Sequence, residues 1–317
     1  MGLFSRNWNK PGKGVDPNEP QKRSFFRFFD IFFRKFWHFV KLNLIYAIAL
    51  IPTFIIVGLL AGFVSGHVLS LPGLMDSINS MANEMVASGG AEALTFEAYQ
   101  AQTVVLIDLF IRLIVAVLFV LILGMGPATA GLAYVLRNFA REEHAWIWSD
   151  FKDAAKSNFK QASIVFLIDV VVYSLLFISI SFYGQIGGWM AMLKYPLIIV
   201  AIIFAFMHFY IYQMMVTFKL SIKNLYKNAL IFALGKLPSN VLTLFLILFV
   251  NLGLAYLCIV LGGAYSIMLL LALLLLEATI LLSFSGFIIS FSTYPKIKKY
   301  MLLDTTTEVK PDKRSIV

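Results

Sequence analysis

The sequence predicts an all-α, polytopic integral membrane protein with six transmembrane helices and amphipathic helices in the cytoplasmic interface. Three observations predict it. Six apolar runs are long enough to span a bilayer. Basic residues collect on alternate connections between them. A basic, amphipathic stretch precedes each odd-numbered run. The composition agrees, because 60% hydrophobic and 14% charged residues exclude an ordinary soluble domain.

A span needs roughly 20 apolar residues to cross about 30 Å of hydrocarbon. The six stretches are 42–64, 103–123, 162–182, 196–216, 241–262 and 267–289. The resulting organisation is a disordered cytoplasmic tail over 1–22, a transmembrane domain over 23–300 with an external loop at 65–102, and a cytoplasmic tail over 301–317. The polar N-terminal piece is too short to bury a core of its own. It has no apolar core near residue 10, so no cleavable signal is expected.

Charge sets the orientation. Of 26 basic residues, nine precede or include Lys41. The connection at 65–102 has none, yet carries Asp76, Glu84, Glu92 and Glu97. The next has Arg137, Arg141, Lys152, Lys156 and Lys160. The next has only Lys194. Lys219, Lys223, Lys227 and Lys236 then follow together, and six more lie after residue 291. This alternation puts 24 basic residues inside and two, Arg112 and Lys194, outside, with both termini cytoplasmic. The net charge of +9 therefore points to lipid headgroups rather than nucleic acid. The single cysteine, Cys258, permits no intramolecular disulfide.

In chain order, Phe25, Phe29, Phe32 and Phe36 recur at helical spacing among Arg23, Arg27, Arg34 and Lys35. This predicts an interfacial helix. In the external loop, Leu74, Ile78, Met81 and Met85 predict an amphipathic helix that caps the bundle or receives a partner. After the second run, Gly124, Gly126, Pro127 and Gly131 predict a break. Pro127 favours a helix start, and the small residues allow close backbone approach. Leu132, Val135, Leu136 and Phe139 line one face of the new helix, with Arg137 and Arg141 elsewhere. Trp146 and Trp148 fit an aromatic belt.

Lys152, Lys156 and Lys160 then form a helical row, and Lys219, Lys223 and Lys227 form another. The two stretches align without gaps at an offset of 67 residues, from Phe151 and from Phe218. Either a parallel repeat of interfacial helix, span out and span back underlies this, or all such helices need basic residues at similar spacing.

Two acids fall inside spans. Asp169 lies about 12 Å from one side and Glu277 roughly 16 Å from the other, at 1.5 Å per residue. His208 falls near the same level. An ionised carboxylate at that depth is expensive, so each acid must face the interior, be protonated or have a partner. One reading is a proton, cation or polar-substrate site. The other is a protonated acid hydrogen-bonded to a neighbouring helix, with Asn251 and Gln213 as similar glue. Asp108 and Arg112 read as a local pair.

There is no phosphate-binding P-loop motif, no HExxH pair, no cysteine pairing for zinc and no Gly-x-Ser-x-Gly. The expectation is no enzyme and no cofactor.

Several motifs occur together and in order. They are Leu42-Asn43 followed by Pro52, then Gly126-Pro127-Ala128-Thr129-Ala130. Trp148 to Phe151 leads into Asn158-Phe159-Lys160-Gln161-Ala162, and Leu220-Ser221-Ile222-Lys223 leads into Asn228-Ala229. Together they resemble the YesL family of bacterial membrane proteins, which is defined by a domain of unknown function. The opening Asn9 to Val15 is similar to longer members from Gram-positive bacteria. The long acidic external loop departs from shorter members. The resemblance implies a plasma-membrane location and a link to carbohydrate uptake, since YesL-like genes often neighbour sugar ABC transporter genes. It implies no catalytic residues.

The expected function is a non-enzymatic accessory or regulatory component of ABC-type carbohydrate uptake. Its partners would be the bilayer and transporter subunits, met by the cytoplasmic helices at 149–161 and 218–236. The permease signature for meeting an ATPase is not reproduced, however. Asn228-Ala229 and Leu237-Pro238 are its nearest fragments. The alternatives are a secondary transporter or channel using Asp169 and Glu277, and a lipid-organising protein.

Overall fold

The computed structural model describes residues 24–71, 73–88, 95–122, 126–186, 188–262 and 265–302. The expected tail at 1–22, nearly all of that at 301–317, Leu123 and Gly124 lie outside them. The described residues form α-helices joined by short turns, with a 3-10 turn at Gly188–Leu193 and π-helical turns at Glu277–Leu281 and Lys298–Leu302. Four helical segments are long and apolar enough to cross a membrane: Phe159–Gln185, Gly188–Met215, Leu237–Cys258 and Met268–Leu302. They coincide with the last four expected spans.

The first expected span is not one helix. It divides into α2 (Phe36–Ala49) and α3 (Ile51–Leu69) at Leu50. Pro52 stands in the first turn of α3. Its missing N–H and its ring exclude it from the interior of a continuous helix but suit a helix start. The second expected span falls within α5 (Phe96–Ile122).

Between α3 and α5 runs the expected outer helix, α4 (Leu74–Ser88). Its buried residues are Ile78 and Ala82, while Met81 and Met85 are exposed. The packed face is therefore rotated away from the methionines. Asn79 on that side accepts a hydrogen bond from Gln100 of α5 at 2.6 Å.

The remaining helices are α1 (Ser24–Arg34), α6 (Gly126–Ala140), α7 (Ile147–Ser157), α8 (Phe159–Gln185), α9 (Lys194–Met215), α10 (Ile222–Gly235), α11 (Leu237–Gly262), α12 (Ser266–Leu276) and α13 (Leu282–Ile297). A single unit recurs in them. A short helix, a one-residue turn and a following helix appear as α1–Lys35–α2, α7–Asn158–α8 and α10–Lys236–α11, the following helix being long in the last two and broken at Leu50 in the first. The buried stripe keeps one register in all three. Four residues before the turn stand Ile31, Ala154 and Phe232. Four after it stand Phe39, Ala162 and Asn240, and seven after it Leu42, Val165 and Thr243. Eleven after it stand Tyr46, Asp169 and Ile247.

The 67-residue alignment is therefore not the structural register. It would pair the turn at Asn158 with Leu225, in the middle of α10. The lysine spacing that suggested it reflects helical periodicity on exposed faces. The buried positions carry the true correspondence.

Three central helices, α6, α9 and α13, pack against one another inside these units. Each also packs on the short helix of a unit: α6 on α7, α9 on α10, and α13 on α1, where Phe28 stacks on Phe287 at 4.9 Å. The C-terminal half of α9, Ala205–Met215, is buried all round. Acyl chains are as apolar as leucine, so close packing and hydrogen bonds must hold such a core. Gly126 and Gly131 supply the close packing. A Cβ on Gly126 would lie 2.6 Å from the Ala162 carbonyl oxygen, and one on Gly131 would lie 2.7 Å from that of Phe151. Gly126 also begins α6 at a φ of +28°, which L side chains rarely adopt.

The expected aromatic stripe of α1 is divided between the packed side and the exposed side. Phe28, Ile31 and Phe32 pack inward, whereas Phe25 and Phe29 are exposed. The end of α6 explains how α1 is held. Glu142 has a φ of 62°, and Glu143 N donates to Asn138 O at 2.9 Å. This is a left-handed helix cap of the kind usually given to glycine. Here the side chain is used instead. The Glu142 carboxylate accepts from Arg27 at 2.8 Å and Arg34 at 2.6 Å. Those arginines, Arg34 foremost, hold its carboxyl below the usual carboxylate range. Lys35 donates to the Glu143 carbonyl at 2.9 Å, and its burial lowers its own pKa.

Candidate functional site

Asp169 and His208 meet. Asp169 faces inward from α8 because it stands on the buried stripe of its unit. His208 comes from the fully buried half of α9. Its Nε2 lies 2.8 Å from Asp169 Oδ2, with the two side chains 3% and 0% exposed. The contact is close, but it is not aligned as a straight hydrogen bond from the ring N–H. His208 Nδ1 lies 2.9 Å from the Phe204 carbonyl. Tyr226 of α10 donates to Asp169 Oδ1 at 3.0 Å. The Tyr173 ring packs beside His208, its centroid 6.0 Å away.

His208 also lines a cavity of about 50 Å³ where α2, α6, α9 and α13 converge. Tyr46, Thr129, Tyr212, Gln213 and Ser290 supply its polar lining. Tyr46 and Thr129 hydrogen-bond each other at 3.0 Å, and Gln213 Nε2 donates to Ser290 at 2.7 Å. Tyr212 OH and Gln213 Oε1 are buried without a protein partner. A cavity of that size admits a few water molecules.

Glu277 is elsewhere. It begins the π-turn between α12 and α13, and both its carboxylate oxygens are buried without a hydrogen bond. The turn is bridged from α2. Asn43 Nδ2 donates to the Glu277 carbonyl at 2.8 Å, and Asn43 Oδ1 accepts from Ser283 N at 2.6 Å. A π-turn frees backbone groups, and one amide side chain satisfies two of them. Among the described residues, no hydrogen bond or ion pair joins the Glu277 side chain to Asp169 or His208. The expected three-residue set is thus a pair and a separate acid.

Of the expected packing motif, Gly124 lies outside the described residues. Gly126, Pro127 and Gly131 open α6 and fix its contacts with α8 and α7. The six lysines, Lys152, Lys156, Lys160, Lys219, Lys223 and Lys227, are all exposed, and none pairs with a described carboxylate. Lys219 precedes α10, whose first turn is capped by Ser221. Where the α7–α8 turn meets the segment before α10 lies a groove of about 640 Å³, lined by Ser157, Asn158, Gln161, Thr217, Lys219 and Ser221 together with apolar residues of the same segments. Gln161 ties its walls together, donating to the Leu220 carbonyl at 2.7 Å.

Residues 104–180 match the family model described as "Protein of unknown function, DUF624". The match takes in the Gly126-Pro127 start, the first lysine row and Asp169, but not His208, Glu277 or the second row. No curated protein and no solved structure matches the chain.

Sequence reasoning missed three contributors. Arg137 was expected away from the packed face of α6. It is buried, and donates to the Val216 carbonyl at 2.6 Å and to Thr217 at 3.0 Å. A cation at the C-terminal end of α9 is favourable there. Tyr226, next to Lys227 of the second row, gives its hydroxyl to Asp169. Asn43 appeared only as a family mark. Its polarity between Leu42 and Leu44, on a buried stripe, was the signal available.

Proposed function

We propose that this chain is a six-span plasma-membrane protein of the YesL type, with cytoplasmic termini, acting as a non-enzymatic accessory or regulatory component of carbohydrate uptake by an ABC transporter. In this reading α2–α3 and α5 supply the first two spans, and the lysine-bearing end of the bundle faces the cytoplasm. The observation that carries the reading is the groove formed by residues 157–161 and 215–221. Its lining is part polar and part apolar, with Lys219 in the wall, and the helices that end or begin at it, α7, α8 and α10, carry the other five exposed lysines.

A secondary transporter or channel using Asp169 and Glu277 is the alternative. It needs a path that reaches both acids. The central cavity touches neither of them, and the acids lie on different helix pairs. That favours a closed bundle with its working surface outside the core.

Affinity purification of the tagged full chain from its native membrane tests the proposal. Permease and ATPase subunits of a carbohydrate ABC transporter should co-purify. A Lys219→Glu, Lys223→Glu, Lys227→Glu variant that still folds should lose them. Parent protein that purifies free of such subunits would overturn the reading.

A further inference from the structure

We infer that Asp169 and His208 form a proton-binding site, a buried pair that holds one proton in all. The argument counts donors and acceptors. A backbone carbonyl can only accept, so the 2.9 Å contact between His208 Nδ1 and the Phe204 oxygen places a hydrogen on Nδ1. A neutral imidazole with Nδ1 protonated presents a bare lone pair at Nε2. Asp169 Oδ2 lies 2.8 Å from Nε2, off the axis of the ring nitrogen. An ionised carboxylate would face it acceptor to acceptor, in a site almost without solvent. One proton removes the conflict. It makes either an imidazolium beside a carboxylate, or a carboxylic acid beside a neutral ring. Both states leave the pair neutral overall, which suits a buried position in a membrane.

The surroundings add no competing charge. α10 contributes Tyr226, which donates to Oδ1. α8 contributes Tyr173, α9 contributes Tyr212 and α2 contributes Tyr46, all neutral phenols. α6 contributes Thr129 to the cavity, and its Arg137 is engaged at the C-terminal end of α9. The cavity beside His208 has Tyr212 OH and Gln213 Oε1 unpartnered. Water there would satisfy both and give the proton a place to exchange. The inference stands apart from the accessory role. A proton can bind at one buried pair without crossing the membrane.

Thermal unfolding of the full chain in detergent tests it, from mildly acidic to alkaline pH, in parent and Asp169→Asn proteins. Loss of that proton restores the acceptor conflict, so the parent should lose stability as pH rises. In Asp169→Asn an amide N–H faces Nε2 at every pH, and that part of the fall should vanish. Parallel curves for the two proteins would overturn the inference. Should the variant fail to fold, ring nitrogen-15 NMR of the parent, with His38, His67 and His144 replaced by Gln, reads His208 alone. Nδ1 should stay protonated throughout while the Nε2 signal moves with pH. An unprotonated Nδ1, or an Nε2 signal that ignores pH, would also overturn it.

Discussion

Asp169 and Glu277 look alike in the sequence and differ in the folded chain. Each is an acid within a candidate span, and each is buried. Asp169 has an imidazole and a phenol around its carboxylate. Glu277 has no partner for its carboxylate, and its backbone carbonyl makes the bond that matters. The difference follows from position. Asp169 stands on the repeated buried stripe, pointing at α9 and α10. Glu277 stands where a helix changes pitch and a neighbouring amide must reach in. A buried acid is therefore informative through what surrounds it, not through burial alone.

The comparison breaks most sharply at Asp169. Asp169→Leu should destabilise the protein by about 3 kcal/mol, because it leaves a buried imidazole and hydroxyl unpaired. Thermal or denaturant unfolding in detergent reads this, and a loss near zero would mean that the pair contributes no net stability.

Asn43→Leu comes next. It strands the Ser283 N–H and the Glu277 carbonyl in the π-turn, at about 2 kcal/mol. Straightening of the turn into regular α-helix, seen in a structure of the variant, would be the accompanying change. Unaltered stability would show that the bridge is dispensable.

Glu277→Leu should by contrast shift stability by less than about 1 kcal/mol. No partner is orphaned, so the sign can even be favourable. A loss as large as that of Asp169→Leu would reveal a partner for the carboxylate and erase the distinction between the two acids.

The smallest effect lies at the surface. Arg34 and Arg27 hold the Glu142 carboxyl below its ordinary range. The stabilisation they give is present above the unfolded carboxylate pKa and lost as pH falls through the lower folded value. Exposed pairs contribute little, so Glu142→Gln should cost under about 1 kcal/mol. Hydrogen exchange in α1 should quicken in the variant at neutral pH and match the parent in acid.

Much of the fold was legible because membrane helices announce themselves by length and apolar content. The last four candidate spans could be read from their apolar length, the start of α6 from Pro127 and helix α4 from residues such as Ile78. The break at Leu50 was not read, although Pro52 carries its cause, because the apolar run continues across it. Helix faces were harder. A stripe of phenylalanine in α1 suits lipid as well as protein, and a stripe of methionine in α4 does not by itself mark the packed side. In α1, Phe28, Ile31 and Phe32 make the packed contacts, while Phe25 and Phe29 are exposed. The repeat was sensed but misregistered, since exposed lysines were aligned instead of buried residues. The site was half legible. Asp169 and His208 were found as depth-matched polar residues, and their contact could not be read without the crossing of α8 and α9. Glu277 was grouped with them on depth alone.

A pH gradient imposed across proteoliposomes, with an internal pH dye, tests most directly the claim that the interior is closed and the working surface lies outside it. The account predicts that the parent dissipates the gradient no faster than protein-free vesicles, and that Asp169→Asn and Glu277→Gln behave identically. A flux in the parent that disappears in a well-folded Asp169→Asn or Glu277→Gln protein would contradict it.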